Sequence, residues 1–417
     1  MRLLFAGFAV LGTMLVAPSD PAVAASSLAG PTGLIAVDST PTSLTMTWSA
    51  IPSAQLYAVQ VATSPTMADA VTQNFRVHSG SIVGLKEQTT YYVRVRVMSA
   101  DGVTPRSEFS PIVSVVTAAP PFDLRLATYN IGGAYTDGQA IGEHKLWVDR
   151  RLAVVNTIVR QKLDVIGLQE LWWRKLGNGS ALDQIADLRN GLAAAGQQFE
   201  VTNEDPSASN GTRIFFNPEV LEKVRSGEFR FAAQFLSHWR RYFAWAVFRH
   251  RETGHEFFFV STHLTPFDGR VRYREWIELI RQVKALNADK LPVVITGDFN
   301  ATRGWSGSRM ILPTMKRAGF ADALGQVYGP VVPRRLRAAK VGNAWINSFN
   351  GYRRLVSDYS FATTRHRLGY SLDWIFASNQ LHVKSWVIAA DYDPATLLLR
   401  GTIPSDHFLV ASTIVIP

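Results

Sequence analysis

The hydrophobic positions of this chain follow two different patterns, and the change between them falls near residue 120. Before it, short apolar runs alternate with polar residues and are separated by Pro, Ser, Gly and Asp, a pattern typical of half-buried β-strands. The clearest runs lie at 44–48, 57–61 and 91–97. Trp48 falls on the apolar face of the first run, so its ring is expected in a core. The pattern predicts a small all-β domain over residues 31–118, followed by a linker at 118–121.

After residue 123, strongly apolar runs alternate with stretches of helical periodicity. Strands are predicted at 124–130, 164–168, 257–262, 292–297, 372–376 and 408–416, and helices at 145–161 and 274–286. The apolar positions of the first helix are Leu146, Val148, Leu152, Val154, Val155 and Ile158. Strands interleaved with helices predict a layered α/β domain over residues 123–417.

The beginning of the chain has the features of a secretory signal peptide. Arg2 supplies a positive charge, residues 3–17 are largely apolar and uncharged, and Ala22-Val-Ala24 is a small-x-small cleavage signature. Residues 1–24 are therefore predicted to be removed on export. The apolar run is too short to cross a membrane, and no later run is long enough, so the mature protein is expected to lack a transmembrane segment. Together with the absence of cysteine, this favours a secreted bacterial protein.

Composition limits the possible classes of protein. Of the 417 residues, 47% are hydrophobic and 18% charged, which excludes a mainly disordered chain. The absence of cysteine excludes disulfides, thiolate metal sites and a cysteine nucleophile. Residues 1–120 hold six Lys/Arg and six Asp/Glu, so the formal charge of +10 belongs to the remainder of the chain. This surplus favours a polyanionic partner, either nucleic acid or an anionic lipid surface, although solubility alone also explains it.

Polar residues recur at the ends of the apolar strands, where layered α/β proteins often build their sites. They are Asn130, Glu170, His263, Asp298, Asn300, Asp373, Asp406 and His407. Carboxylate and amide oxygens suit a hard cation such as Mg²⁺ or Mn²⁺, with Ca²⁺ also possible. The histidines can move protons or stabilise a charged phosphate. This set indicates phosphate-ester hydrolysis, because a glycosidase needs only two carboxylates and explains neither the histidines nor the basic charge.

Six short motifs carry a family resemblance. They are Thr128-Tyr-Asn130, Gln169-Glu170, Ser261-Thr-His263, Gly297-Asp-Phe-Asn300, Leu372-Asp-Trp-Ile-Phe376 and Ser405-Asp-His407. In this order they resemble the endonuclease/exonuclease/phosphatase superfamily, which includes deoxyribonucleases, abasic-site endonucleases, inositol phosphatases and bacterial sphingomyelinases. The resemblance covers residues 123–417. It implies a four-layered α/β sandwich, in which two mixed sheets pack together with helices outside.

A second resemblance covers residues 31–118. Leu85, Thr89, Tyr91, Val93 and Val95 follow one another at spacings of four, two, two and two. They resemble the tyrosine corner and following strand of a fibronectin type III domain, with Tyr91 as the corner. No cluster of catalytic residue types falls in this segment, so a spacer or adhesive module is expected.

The superfamily resemblance also implies residue roles. Glu170 is expected to be the main metal ligand, with Asn130 and Asp406 beside it. Asp298 resembles the carboxylate that orients or deprotonates the attacking water. Asn300 resembles the amide that stabilises charge on the phosphorane.

His407 resembles the histidine that binds the scissile phosphate, and either Asp373 or Asp406 could raise its pKa and fix its tautomer. His263 resembles the second active-site histidine, a phosphate stabiliser or leaving-group acid. Arg241 is similar to an arginine near the site in the deoxyribonuclease branch, although a surface cation is nearly as good an interpretation.

The chain also departs from the family pattern. Some nuclease members have an active-site tyrosine in the stretch that corresponds to residues 205–212, and none is present here. Asn210 is either an amide that faces the phosphate or a turn residue before Gly211. Residues 301–304 lack the inositol phosphatase signature. The branch within the superfamily is therefore left open.

Three functions remain. The first is a secreted metal-dependent nuclease, in which basic residues contact phosphates and tryptophans stack on bases. Candidates for these contacts are Arg240, Arg241, Arg270, Arg272, Arg303, Arg334, Arg335, Arg337, Trp172, Trp173 and Trp305. The second is a sphingomyelinase-like phospholipase with Trp172-Trp173 at the lipid surface. The third is an adhesin that acts through residues 31–118 and carries a vestigial active site.

Overall fold

A computed structural model describes residues 28–175, 181–234, 240–302, 306–328, 340–356, 369 and 371–417. The predicted signal peptide at 1–24 lies outside these residues. The chain divides after Ala118 into two compact units.

The first unit consists of seven strands in two sheets. The strands are β1 (Ile35–Thr40), β2 (Ser43–Thr47), β3 (Leu56–Ala62), β4 (Val71–Phe75), β5 (Ser79–Val83), β6 (Thr90–Met98) and β7 (Val113–Val116). One sheet has the order β1-β2-β5 and the other β4-β3-β6-β7. All pairings are antiparallel. The predicted all-β sandwich is confirmed.

The core of this unit follows the predicted period-two pattern. Leu44, Met46 and Trp48 are buried, and the indole of Trp48 packs edge-on against Tyr57 at 5.4 Å between ring centroids. The hydroxyl of Tyr91 accepts a hydrogen bond of 2.9 Å from the backbone N–H of Lys86, five residues upstream. This bond closes the tyrosine corner.

The second unit contains the remaining fifteen strands of the described residues. They are β8 (Phe122–Asn130), β9 (Val165–Gln169), β10 (Trp173–Lys175), β11 (Ala181–Asp183), β12 (Glu200–Val201), β13 (Arg213–Phe216), β14 (Leu221–Arg230), β15 (Tyr242–His250), β16 (Glu256–His263), β17 (Val293–Asp298), β18 (Phe320–Asp322), β19 (Lys340–Gly342), β20 (Asp373–Ser378), β21 (His382–Ala389) and β22 (Leu409–Ile416). One mixed sheet has the order β12-β13-β9-β8-β22-β21-β19, and the other β14-β15-β16-β17-β20-β18. A separate hairpin pairs β10 with β11.

Five helices are described in this unit, of which the first four cover the outer faces of the two sheets and the last packs into the apolar cluster between them. They are α1 (Trp147–Val159), α2 (Gln184–Ala194), α3 (Gly269–Leu286), α4 (Ser306–Ala318) and α5 (Ala323–Tyr328), with 3-10 turns at Ala134–Thr136 and Ala208–Gly211. One apolar cluster joins the facing sides of the sheets. A second joins the first sheet to α1 and α2, and a third joins the other sheet to α3 and α4. The predicted four-layered sandwich is confirmed. Among the described helices, none has the length and apolarity needed to cross a bilayer.

The face of α1 differs from the one that its apolar positions suggested. Leu146, Val148 and Leu152 are largely exposed, whereas Trp147 and Arg150 are fully buried. Arg150 lies three residues after Trp147 and therefore on the same side of the helix. Arg150 can be buried because its guanidinium donates hydrogen bonds to backbone carbonyls beside the candidate site.

A polar strip between the sheets lies under the strand ends. Gln169 of β9 donates a 3.1 Å hydrogen bond to the hydroxyl of Ser261 on β16, which joins the two sheets. The sheets approach so closely here that a Cβ on Gly167 would lie 2.3 Å from the hydroxyl oxygen of Thr296. The strip holds the two sheets in a fixed relation just below the polar strand ends.

Gly167→Ala should destabilise the second unit by about 1–3 kcal/mol, because the added methyl overpacks this strip. Denaturant unfolding of the full chain, followed by the fluorescence of its tryptophans, measures the change. Gly325→Ala is the matched control. Gly325 is exposed in α5 and its Cβ would make only ordinary contacts at 3.6 Å, so the substitution should stabilise by about 0.5–1 kcal/mol. Equal stability of the two variants would contradict this description of the interface.

Candidate active site

Strand register brings three of the predicted site residues side by side. His263 ends β16 and pairs with Asp298 at the end of β17, in parallel register. Asp298 in turn pairs with Asp373 at the start of β20. Each of the three lies where an apolar strand meets the polar edge of its sheet. The first sheet contributes Asn130, the last residue of β8.

Asp298 contacts more members of this cluster than its neighbours do, and it is almost fully buried. Its Oδ2 lies 3.1 Å from the amide nitrogen of Asn130, which donates to it, and 3.4 Å from Nε2 of His263. The same oxygen lies 3.6 Å from Nε2 of His407. Its Oδ1 accepts from the backbone N–H of Asn300 at 2.9 Å. One carboxylate thus touches residues from both sheets.

His407 is held between two acids. Its Nδ1 lies 2.8 Å from Oδ2 of Asp373, and its Nε2 faces Asp298. Burial lowers the pKa of His407, but the carboxylates of Asp373 and Asp298 more than offset this and raise it well above the usual value. The imidazole is therefore positively charged near neutral pH.

A single buried serine holds the backbone of this pair. The hydroxyl of Ser348 accepts from the N–H groups of Leu372 and Asp373 at 2.9 and 3.1 Å. Its carbonyl accepts from the N–H of Phe408 at 2.7 Å. Ser348 therefore fixes the backbone at Asp373 and the backbone next to His407.

The pKa of His263 is shifted in the direction opposite to that of His407. Burial, with further repulsion from Arg241 and His407, lowers the pKa of His263 well below its usual value. It is therefore neutral near pH 7 and can accept a proton. Two histidines within reach of one carboxylate consequently have different protonation states.

Burial raises the pKa of Asp298 to about 7, although the positive charge of His407 opposes the shift. A carboxyl group with this pKa can take a proton near neutral pH. Asp298, Asp373 and His407 also lie close enough together to form a three-ligand metal group. Nδ1 of His407 already bonds with Asp373, so its Nε2 is the nitrogen that faces Asp298 in this group.

The carboxylate of Glu170 lies on the other side of Asn130. Glu170 has a φ of 63°, a left-handed backbone conformation that residues other than glycine seldom adopt. Its Oε1 accepts from the amide nitrogen of Asn130 at 3.1 Å. Its Oε2 accepts from the N–H of Gly133 at 3.0 Å and from the hydroxyl of Tyr135 at 2.8 Å. The oxygen of Asn130 accepts from the N–H of Gly132, which fixes the amide nitrogen toward the carboxylates.

Asp406 completes a pair of acids with Glu170. Burial raises the pKa of Asp406, and the charge of Glu170 adds to the shift. A Cβ on Gly132 would lie 3.4 Å from Oδ1 of Asp406 and 2.5 Å from the hydroxyl of Tyr352. A side chain at this position would therefore clash with that hydroxyl, so the turn after Asn130 requires glycine. Two carboxylates that repel each other, with oxygen donors only, fit a hard divalent cation.

A cleft of about 270 Å³ opens beside Glu170 and His263. It is lined by Tyr135, Glu170, Leu171, Trp172, Asn210, Arg241 and His263. Asn210 has a φ of 46° and donates to the carbonyl of Arg240 at 3.0 Å, so it is both a turn residue and part of the cleft wall. Arg241 faces the same space. The structure thus places a cation, an amide and two aromatic rings in one cleft.

The remaining predicted residues have structural contacts as well. Asn300 has a φ of 49°, and its amide nitrogen donates to the carbonyl of Leu264 at 2.9 Å. Arg272, a predicted phosphate contact, is committed to the carbonyls of Thr265 and Pro266. These two side chains hold the loop that follows His263. Arg303, Trp305, Arg334, Arg335 and Arg337 lie outside the described residues.

Several residues that support the site were not among the sequence predictions. Arg150 donates to the carbonyls of Ile131, Gly132 and Pro404. Gln184 accepts from the N–H groups of Ala134 and Trp172 beside the cleft, and the buried Arg213 donates to the carbonyls of 205, 206, 208 and 212. Of these residues, only Arg150 could have been noticed in the sequence, because it is a charged residue on the face of α1 that is buried. The others depend on tertiary contacts that periodicity does not encode.

Comparison with known proteins identifies the class. Residues 127–407 match the profile of the endonuclease/exonuclease/phosphatase family, so the chain belongs to this family. Residues 29–113 match the profile of the fibronectin type III domain. Members of the family are hydrolytic phosphoesterases that generally use divalent metals. No curated protein matches the chain.

Solved structures share the fold. An endonuclease/exonuclease/phosphatase family protein from Bacteroides thetaiotaomicron is 19% identical with a TM-score of 0.53, over 72% of this chain and 99% of that one. An endonuclease/exonuclease/phosphatase from Bacteroides vulgatus is 22% identical with a TM-score of 0.50, over 71% and 100%. A mannosyl-6-phosphatase from Bacteroides thetaiotaomicron is 20% identical with a TM-score of 0.49, over 70% and 99%.

Asp373→Asn should lower the pKa of His407 by at least about one unit, because the neighbouring negative charge that favours the imidazolium is removed. NMR titration of ¹⁵N-histidine-labelled protein measures this shift. Asp391→Asn, a substitution in an exposed ion pair with Arg160, is the matched control and should leave His407 unchanged. An unchanged His407 titration in Asp373→Asn would show that the carboxylate does not hold the imidazolium.

Proposed function

We propose that the protein is a secreted, metal-dependent phosphodiesterase that hydrolyses nucleic acid. The observation that carries this proposal is the buried group around Asp298. It combines a carboxylate whose pKa is near 7, a charged histidine and a neutral histidine at the edge of a cleft. Such a set can activate water and stabilise phosphate charge, and its neutral histidine can protonate a leaving group once it has itself gained a proton.

The proposed metal site consists of Glu170, Asp406 and Asn130. The two carboxylates supply the oxygen ligands, and Asn130 acts through its hydrogen bond to Glu170. Mg²⁺ or Mn²⁺ suits this all-oxygen set, and Ca²⁺ is also compatible with it. A divalent ion supplies Lewis-acid stabilisation of the developing charge on the phosphate.

The proton steps are assigned to the chain's own residues. Asp298 takes the proton of the attacking water, because its carboxylate is buried, lies at the cluster centre and gains a proton near neutral pH. His407 stabilises the scissile phosphate as an imidazolium held by Asp373. Asn300 has a second N–H besides the one bonded to Leu264, and we assign it to a phosphate oxygen.

His263 and Arg241 are assigned to the side of the cleft. His263 is the proposed leaving-group acid. It is neutral in the resting state, so it first takes a proton from solvent, which the negative charge of a bound phosphate favours, and then gives that proton to the leaving oxygen. Arg241 is the proposed phosphate contact, since it lines the cleft that His263 also lines.

Charge favours nucleic acid as the substrate. The surplus of +10 belongs to the part of the chain that forms this unit. Arg240 and Arg270 are exposed near the loops of the site and remain available for phosphates. Such contacts supply much of nucleic-acid affinity and make it sensitive to salt.

The remaining segments suit an exported enzyme. We propose that residues 1–24 are a signal peptide, that 31–118 form the fibronectin type III domain and that 123–417 form the catalytic domain. Family members of bacterial origin and an appended β-sandwich support an extracellular location. The module itself has the role of a spacer or adhesive domain in this proposal.

Lipid phosphodiesters are the second candidate substrate. The hairpin of β10 and β11 begins three residues after Glu170, and Trp173 at its start is 38% exposed. An exposed tryptophan beside a phosphoesterase site suits a membrane surface, because its ring prefers the interface. A sphingomyelinase-like activity would use the same catalytic residues.

The purified protein should nick plasmid DNA or cleave RNA in the presence of Mg²⁺, and a chelator should abolish both. Asp298→Asn should reduce the rate by about 10²–10⁴-fold while the fold persists, because it removes the proton acceptor but preserves size. Asp289→Asn, on the surface and paired with Arg225, is the matched control with normal activity.

Sphingomyelin is assayed in parallel with the nucleic acids. Its cleavage without cleavage of DNA or RNA would replace the proposed substrate by the second candidate. No metal-dependent turnover of any phosphodiester would contradict the proposed activity and favour an adhesin that acts through residues 31–118.

A further inference from the structure

We propose that Tyr135 and Trp172 form a stacking site for an unpaired nucleobase next to the scissile phosphate, so that the preferred substrate is single-stranded nucleic acid. This inference rests on the proposed function and makes its substrate more specific. The observations that carry it are the position of the two rings, the contacts that hold them and the chemistry of the other residues that line the cleft.

The two rings share a cleft with catalytic groups. Tyr135 and Trp172 line the same cavity of about 270 Å³ as Glu170 and His263. Their ring centroids are 5.2 Å apart and their planes are tilted by 57°. Both rings remain partly exposed, and Tyr135 retains 50% of its surface. A flat group bound on either ring therefore lies beside the residues that act on the phosphate.

The Tyr135 ring is held by its own loop. A Cβ on Gly133 would lie 2.1 Å from Cε1 of Tyr135, so the ring packs directly against the backbone of that glycine. Its hydroxyl donates to Oε2 of Glu170 at 2.8 Å. The orientation of the ring is consequently linked to the orientation of the proposed metal-binding carboxylate.

One buried glutamine joins the two aromatic segments. Oε1 of Gln184 accepts from the N–H groups of Ala134 and Trp172, both at 2.9 Å. The N–H of Gln184 donates to the carbonyl of Trp172 at 3.0 Å. Gln184 is fully buried at the start of α2. The backbones that carry both rings are therefore fixed to one side chain, which is how a pre-organised binding wall is built.

The composition of the cleft favours a base over an acyl chain. Leu171 is the aliphatic member of the lining, while Asn210 and Arg241 provide an amide and a cation in the same cleft as the rings. A nucleobase presents a flat face for stacking and a polar edge for hydrogen bonds, whereas an acyl chain presents neither. A base in a duplex already stacks on its neighbours, so only an unpaired or displaced base can occupy this wall.

Single-stranded oligonucleotides with one tetrahydrofuran abasic residue, moved stepwise along the strand, test the site in the wild-type protein. The cleavage rate at a given phosphate should fall by about 5- to 150-fold when the abasic residue occupies one flanking position, and little elsewhere. The same sequence as a duplex should be cleaved more slowly than the single strand.

Substitutions at Trp172 provide the second measurement. Trp172→Ala should raise KM for the normal single strand by a similar factor, with kcat largely retained and little effect on a strand that is abasic at the flanking position. Trp172→Phe should restore most of the affinity, because it keeps an aromatic face. Leu152→Ala, a change at an exposed apolar side chain of α1 that has no place in the proposed site, is the control and should resemble the wild type.

The outcomes separate the inference from the proposed function. Metal-dependent cleavage of oligonucleotides without a position-dependent abasic effect, or with equal rates on duplex and single strand, would overturn the stacking site and leave the nuclease function standing. Equal loss on normal and abasic strands in Trp172→Ala would also overturn it. Absence of cleavage on every oligonucleotide would overturn both.

Discussion

The burial of the Asp298 carboxylate between the two sheets is the constraint on which the site depends. Removing a charged group from water is costly unless hydrogen bonds and opposite charges compensate for it. Here the compensation comes from Asn130, the backbone of Asn300 and the imidazolium of His407. Because these partners belong to different strands and loops, the carboxylate can be accommodated only when both sheets are assembled. The same burial that makes it costly also moves its pKa into the range that proton transfer requires.

Much of the surrounding structure holds the partners of this carboxylate in place. Ser348 fixes the backbone on either side of the Asp373–His407 pair, and Arg150 ties together the loops that carry Asn130 and Asp406. Glu275 of α3, buried and with its pKa raised by that burial, accepts from the backbone and hydroxyl of Thr265 in the loop after His263. Side chains with no place in the proposed chemistry thus keep the proposed reacting groups oriented, which is a general requirement of pre-organised catalysis.

The layered fold, the strand ends and the residues that meet there could be predicted, because apolar strands must be buried and a polar residue at the end of such a strand is conspicuous. Register explains why His263, Asp298 and Asp373 then lie together. The buried face of α1 could not be predicted from apolar residues alone, since Arg150 is buried in exchange for carbonyl contacts while Leu152 is exposed. Gln184 and Tyr135 were also beyond prediction, because their importance comes from contacts with segments distant in sequence.

The pH dependence of phosphodiester hydrolysis tests the central claim most directly. The metal-saturated rate should fall as the pH is lowered through a midpoint at or below about 7, since protonation of Asp298 removes the acceptor for the proton of water. The midpoint does not exceed this value because a bound cation nearby favours the charged carboxylate. A rate that stays constant, or rises, as the pH is lowered from about 8 to about 5 would contradict the assignment of Asp298 as the base.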